Sequence, residues 1–251
     1  MQAWNQRHER NFSLAQEIHV WRIFLQTGSE VLVRAFEDVL DVYEISRARK
    51  FFSPLHRRRF IVTHGACRFI LAKYLGWCPE QVRFKYGELG KPRLVIQDHA
   101  RDLRFNLSHS HDYALLTVTL SREVGVDVEL VCDSIECEDI ASMACSPCEI
   151  TLLAQVPEPL RREAFFICWT RKEAFLKAKG IGLNDSLKQV DVRGPLRFSQ
   201  KPFLIDDPFS SEMVWTRYDL EVHHGYQASL VCEGEECFVR YFDYQFLGGN
   251  S

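Results

Sequence analysis

The sequence predicts an α+β fold built as two halves, each a set of short strands with one long helix. Two observations carry this. Two long helical stretches, about Leu55–Leu75 and Pro159–Lys179, lie a hundred residues apart, and each stops at a glycine, Gly76 and Gly180, where a C-cap belongs. Short runs rich in β-branched and aromatic residues flank both of them. No internal repeat and no low-complexity linker interrupts the chain. The expected division is a loose tail over 1–15, an N-terminal α+β unit over 16–121 and a C-terminal α+β unit over 122–251.

The elements follow in order. Ile18-His19-Val20-Trp21-Arg22-Ile23-Phe24-Leu25 reads as a strand. Ser29 can cap a helix over Val31–Val42, and a short helical stretch follows over Tyr43–Phe52. After the long helix come strand pieces at 81–86, 93–96, 103–107 and 113–120. Val124–Val131 alternates strictly, as a strand with two distinct faces does. Ser146-Pro147-Cys148-Glu149 is a helix start: a serine cap, a first-turn proline and a glutamate three residues after the cap. Beyond the second long helix, strands are expected at 213–222, 226–231 and 238–242. The segment from Arg193 onward carries no readable motif.

Composition narrows the function. Of 251 residues, 46% are apolar and 26% charged, ordinary for a soluble globular protein, and the net charge of −3 argues against a basic nucleic-acid binder. Any phosphate binding must come from a local cluster. Nine cysteines, an odd number in a chain of this length, do not read as a disulfide framework. The opening residues are polar, with no secretory signal, and no apolar run is long enough to span a bilayer. A cytoplasmic location is the expectation.

Four constellations could do chemistry. In Gly125-Val126-Asp127-Val128-Glu129-Leu130, Asp127 and Glu129 share one strand face, roughly 7 Å apart, and can share a hard cation; a solvated acidic face is the plainer reading. Trp169, Glu173 and Lys177 line one helix stripe at a spacing of four. A surface ion pair explains such a Glu and Lys equally, but the tryptophan on the same stripe suggests protein or ligand nearby. Asn106-Leu107-Ser108-His109-Ser110-His111, at a strand end, offers hydroxyls, a histidine and turn amides to a phosphate, or forms only a self-satisfied turn. His111 reads as an exposed loop residue. Arg47, Arg49, Lys50, His56, Arg57, Arg58 and Arg59 form a basic cluster whose arginine forks match phosphate oxygens, with Lys91 of Gly90-Lys91-Pro92 adding a cation at a tight turn. Cys145-Ser146-Pro147-Cys148, with Cys132 and Cys137 upstream, has poor spacing for zinc and reads as buried or incidental thiols.

Taken together and in this order, Gly90-Lys91-Pro92, Phe105-Asn106-Leu107-Ser108-His109-Ser110, Gly125-Val126-Asp127-Val128-Glu129 and Trp169-Thr170-Arg171-Lys172-Glu173-Ala174-Phe175-Leu176-Lys177 resemble the signature segments of the 4′-phosphopantetheinyl transferases. The match is to the larger single-chain branch typified by the surfactin-synthetase activator (Sfp-like), and it runs from about Ile18 to Val192. His56-Arg57-Arg58-Arg59-Phe60 is similar to a basic helix of some members. The resemblance implies two similar α+β halves related by a pseudo-twofold, with the active site in the cleft between them. It implies a magnesium site at Asp127, Glu129 and Glu173, and a phosphate-contacting Lys177. Ser108, His109 and Lys91 match positions that hold coenzyme A, and Arg47 and Arg59 fall where members place cations for its 3′-phosphate. Glu44 departs from a lysine of some relatives.

The implied reaction moves the phosphopantetheine arm of coenzyme A to a serine of an apo acyl or peptidyl carrier protein, releasing adenosine 3′,5′-bisphosphate. Glu173 is the expected base, directly or through a metal-bound water, and Lys177 the group that stabilises or protonates the departing phosphate. The implied partners are a carrier protein and coenzyme A, with no nucleic acid or membrane, on a monomeric enzyme. A magnesium-dependent phosphohydrolase of coenzyme A or a related nucleotide is the alternative from the residues alone. An acidic-ligand or RNA-binding module leaves the spaced carboxylates without a role.

Overall fold

The computed structural model describes residues 4, 14, 16–26, 29–96, 102–133, 137–182, 185–192, 194–210 and 213–245. Of the expected N-terminal tail only Trp4 and Leu14 lie among them. Trp4 is docked: its indole donates to the Glu221 carbonyl at 3.0 Å, and the Arg22 guanidinium lies 4.3 Å from its ring centre.

The chain runs β1 (Glu17–Phe24), α1 (Glu30–Asp38), α2 (Val42–Arg49), α3 (Pro54–Leu75), β2 (Phe84–Tyr86), β3 (Pro92–Leu94), β4 (Leu103–Ser110), β5 (Tyr113–Leu120) and β6 (Val124–Leu130). It continues through α4 (Cys137–Ala144), α5 (Pro147–Gln155), α6 (Glu158–Lys179), β7 (Phe203–Asp206), β8 (Val214–Asp219), β9 (Tyr226–Glu233) and β10 (Phe238–Tyr244). The mixed α+β class matches the expectation. The helical pattern expected over 31–42 breaks near Val39, because Asp41 starts a new helix: its carboxylate accepts from the Glu44 amide at 2.9 Å and Glu44 reaches back to the Asp41 amide at 3.0 Å. Both long helices end at left-handed glycines, Gly76 (φ 69°) and Gly180 (φ 72°).

Two four-stranded sheets form, ordered β10-β1-β5-β4 and β6-β9-β8-β7, with β2 and β3 as a separate hairpin. Pairing is antiparallel except between β1 and β10, which run parallel. The last strand therefore returns to the sheet that begins the chain.

Alternation along β1 shows how the sheets are used. Trp21 and Ile23 join the core under α3, with Ala66, Ile70 and Leu71. Ile18 and Val20 point the other way and meet Val126, Val128 and Leu230 of the second sheet. The far face of that sheet is covered by α6, whose Phe166 and Phe175 share a core with Trp215 of β8. Each sheet thus has a long helix on one face and its fellow sheet on the other.

Between the sheets, β4 and β6 lie edge to edge, joined by side chains. Asn106 Oδ1 accepts from the Val126 amide at 2.9 Å, and Ser110 Oγ accepts from the Leu130 amide at 3.2 Å. A period-2 polar row on β4 thereby supplies what a backbone ladder would. This seam, with α6 across it, positions the functional residues.

Candidate active site

Gly125 fixes how closely α6 approaches β6. A Cβ at this position would lie 2.1 Å from the Ala174 carbonyl oxygen and 2.3 Å from the Ala178 nitrogen. Only glycine permits that contact, and it brings the next two outward residues of β6, Asp127 and Glu129, under the α6 side chains. Both faces of β6 are covered, so these carboxylates do not form a solvated acidic face; Asp127 is 2% exposed.

Asp127, Glu129, Glu173 and Lys177 come together on that seam. Lys177 Nζ donates to Asp127 Oδ1 at 2.5 Å and to Ser108 Oγ at 3.0 Å, while Ser108 Oγ donates to Asp127 Oδ1 at 2.9 Å. Ser110 Oγ donates to Glu129 Oε2 at 2.8 Å. Glu173 is 7% exposed. Two carboxylate oxygens, Asp127 Oδ2 and Glu173 Oε1, are buried without a hydrogen-bond partner. Such groups carry a substantial desolvation cost unless something else engages them.

The electrostatics follow from this crowding. Burial and then the Asp127 charge push Glu129 up to about 7. Burial, Asp127 and, to a lesser degree, Glu129 push Glu173 up to about 7 as well. Burial works against the Lys177 charge, but the Asp127 carboxylate overrides it and holds the ammonium above the ordinary lysine range. An all-oxygen donor set with surplus negative charge and two unpartnered oxygens fits a hard divalent cation. It does not fit zinc, which prefers nitrogen and sulfur.

On the side facing α2 and α3 stands a wall of cations. His109 is the exposed residue of β4 and lies near His64, Lys177, Arg47 and Arg59; partial enclosure and then these neighbours, in that order, push it down to about 4. Arg59 is paired with Asp112 at 2.5 Å, and its Nε is buried without a partner. The Arg47 guanidinium lies 5.4 Å from the Phe60 ring centre and 5.9 Å from that of Tyr43. Arg57 and Arg58 instead pair with Glu37 and Glu30.

Lys91 sits elsewhere. Its Nζ donates to Glu123 Oε2 at 2.8 Å, to the Ala178 carbonyl at 2.7 Å and to the Val124 carbonyl at 3.3 Å, tying the β2–β3 turn to β6 and the end of α6. The turn-amide cradle expected at Ser108 and His109 is also absent, because β4 continues through Ser110 and pairs Ser108 with Leu115. Those residues offer side chains instead. His111 is exposed in a turn with φ 50°, as expected.

Several contributors escape motif reading. Ser110 and Asn106 were legible as the alternating Asn-x-Ser-x-Ser of β4, but only with β6 known to lie alongside. Lys172, next to Glu173, is fully buried and structural: it binds Glu149 at 2.7 Å and the Leu187 carbonyl at 2.8 Å. The thiols of Cys145 and Cys168 are 3.9 Å apart, and with Glu149 their ligand atoms lie within 4.8 Å of one another. Glu149 is already spent on Lys172, the Ser146 amide and the Val192 amide, so this cluster reads as core. None of the nine cysteines forms a disulfide.

Comparison with known proteins decides the family. Residues 123–231 match the model of the 4′-phosphopantetheinyl transferase superfamily. The chain is 38% identical over 179 residues to the 4′-phosphopantetheinyl transferase HetI of Nostoc sp., covering 71% of this chain and 75% of that one. The chain belongs to the 4′-phosphopantetheinyl transferase family. A putative 4′-phosphopantetheinyl transferase of Synechocystis sp., slr0495, is 32% identical over 169 residues, 67% of this chain and 68% of its own. A 4′-phosphopantetheinyl transferase of Bacillus subtilis is 29% identical over 147 residues, 59% and 63% of the two chains. The matched region of the transferase model contains β6 and α6, the two elements that carry the acidic trio and Lys177. No helix among the described residues of this transferase is long and apolar enough to cross a membrane.

Proposed function

We propose that this transferase moves the phosphopantetheine arm of coenzyme A to a serine of an apo acyl or peptidyl carrier protein, in the cleft where β4, β6 and α6 meet. The observation that carries the reading is the pair of buried, unpartnered carboxylate oxygens on Asp127 and Glu173, from opposite sides of one seam and beside a fixed lysine. Asp127, Glu129 and Glu173 would hold magnesium. When bound there, the ion supplies Lewis acidity toward the pyrophosphate and neutralises charge developing on it.

The chain's own residues supply the rest. The serine oxygen bonds to the β-phosphorus of coenzyme A, and the bond from that phosphorus to the bridging oxygen breaks. Adenosine 3′,5′-bisphosphate leaves with that electron pair. Glu173 takes the serine proton, directly or through a water. Lys177 stays charged, because Asp127 holds its pKa up, and it hydrogen-bonds the leaving phosphate rather than titrating. Ser108 fixes Lys177 and Asp127 relative to each other. Arg47, Arg59 and His109 face the nucleotide end, where the arginine forks match phosphate oxygens. Lys91 joins them only by leaving Glu123. The enzyme acts as a monomer in the cytoplasm on this reading.

The test is mass spectrometry of an apo carrier protein incubated with coenzyme A, magnesium and this protein. A mass gain of one phosphopantetheine on the carrier serine is expected. Rapid release of adenosine 3′,5′-bisphosphate with no carrier present, and no carrier modification, would instead make the protein a hydrolase and overturn the proposal.

A further inference from the structure

Ser110 is the last residue of β4, it is buried, and its hydroxyl is fully committed between two strands. Oγ accepts from the Leu130 amide at 3.2 Å and lies 2.8 Å from Glu129 Oε2. A hydroxyl has one proton to give. With the Leu130 N–H on one lone pair, that proton goes to Glu129 Oε2, the nearest acceptor; His111 Nδ1 stands off at 3.4 Å.

Two residues earlier the pattern repeats. Ser108 and Ser110 are alternate residues of β4, paired with Leu115 and Tyr113 of β5, so both hydroxyls face the seam with β6. Asp127 and Glu129 alternate in the same way on β6, and each serine meets the carboxylate 19 residues further along the chain. Asp127 Oδ1 is taken by Ser108 and Lys177, while Oδ2 is buried without a partner. Glu129 Oε2 is taken by Ser110, while Oε1 accepts no hydrogen bond among the described residues. Each β6 carboxylate therefore has one oxygen held by β4 and one oxygen left over. Asn106, by contrast, joins the strands through the Val126 amide alone.

The count of free oxygens bears on which ion fits. Turning Glu129 so that both its oxygens reach one ion breaks the bond from Ser110. Magnesium is small, demands near-ideal octahedral geometry and keeps several waters, so single carboxylate oxygens suit it. Calcium takes about six to eight oxygens in a flexible shell and readily uses both oxygens of one carboxylate.

We propose that Ser110 is a positioning residue: anchored by the Leu130 amide, it restricts Glu129 to one oxygen toward the cation and so tunes the site to magnesium over calcium. The inference rests on the functional reading above, which puts the cation at Asp127, Glu129 and Glu173.

The test measures binding of the metal alone. Electron paramagnetic resonance reads free Mn²⁺, and its return as Mg²⁺ or Ca²⁺ displaces it, on wild type, Ser110→Ala and Ser110→Thr. Wild type should favour Mg²⁺ over Ca²⁺ by about 10-fold or more. Ser110→Ala should lose about 10-fold in Mg²⁺ affinity, the low end for removing a group that orients a metal ligand, and lose less for Ca²⁺. Ser110→Thr keeps the hydroxyl and should keep the preference. A serine that only joins the strands weakens both ions alike, so equal losses, or no loss, overturn the proposal. If Ser110→Ala does not fold, the wild type still decides: calcium held as tightly as magnesium refutes it. A wild type that modifies a carrier protein with magnesium, yet gives these negative results or takes up no manganese, sinks this inference alone. One that takes up no manganese and leaves the carrier unmodified removes both readings.

Discussion

Replacing Glu173 by glutamine should make the metal-free protein more stable at alkaline pH, even as it removes the proposed base. Glu173 is buried, has one unpartnered oxygen and sits among Asp127 and Glu129. Its carboxyl is raised from 4.5 to about 7, first by burial and then by Asp127. A carboxyl raised by folding contributes stability that is fully present below its unfolded pKa and lost as pH climbs through its folded pKa. Here the loss runs from about pH 4.5 to just above pH 7. At roughly 1.4 kcal/mol per tenfold change in proton affinity, its size is about 3 kcal/mol. Glu129 is raised to the same region, but the two share their repulsion with Asp127, so their effects do not add. Glutamine has nearly the same shape and no charge. Urea titrations in chelator at pH 5 and pH 8 should show wild type and Glu173→Gln alike at pH 5, and the variant ahead at pH 8 by up to about 3 kcal/mol. In a chain of this size that is a Tm gain of about 6–12 °C. Adding magnesium at pH 8 should close the gap, because only the wild type retains all three carboxylates. A variant equal to or less stable than wild type at pH 8 in chelator would refute the crowding argument.

Three other outcomes follow from the same geometry. Gly125→Ala places a methyl 2.1 Å from the Ala174 carbonyl, so α6 must retreat from β6; a loss of about 3 kcal/mol in urea is expected, with transfer activity falling further than stability predicts. Arg68→Leu strands the buried Glu44 carboxylate, and chemical denaturation at pH 7 should register a loss of about 3–5 kcal/mol. That penalty should shrink toward pH 4, where Glu44 can protonate, because a carboxylate held low contributes stability above its unfolded pKa and loses it as pH falls. Lys91→Met separates the two roles open to that lysine: an anchor for Glu123 and α6 predicts lower stability with the KM for coenzyme A within about twofold, whereas a phosphate contact predicts a KM rise of about tenfold.

What was legible in the sequence, and what was not, divides along a physical line. Local signals are legible where one short segment contains its own reason. Gly76 and Gly180 end the long helices because a left-handed cap needs no neighbour, and Ser146 caps α5 through its own Glu149. The acidic residues of β6 and the stripe on α6 were visible as types and spacings, since alternation and the four-residue step are backbone properties. Their meeting was not visible, because it depends on Gly125 letting two elements touch across fifty residues of chain. The sequence pattern puts the break between the first two helices at Val42–Tyr43, a few residues late, because apolar periodicity runs past Val39, and it ends β4 at Leu107, because only the pairing with β5 reveals the strand character of Ser108–Ser110.

Lys91 and His64 make the sharpest contrast. Both are basic residues within reach of acidic partners, and sequence order gives prominence only to the first, through its Gly-Lys-Pro setting. The structure commits the three donors of the Lys91 ammonium to one carboxylate and two carbonyls. It sets His64 on the Phe60 ring with Nδ1 engaged by Glu44. The number of unspent hydrogen-bonding positions on a side chain, rather than its charge or its motif, decides what it can still offer a ligand. Counted that way, Asp127, Glu173 and Arg59 each keep a buried polar atom with capacity left at this cleft, as Thr63, Thr117, Arg161 and Arg217 do among the other described residues.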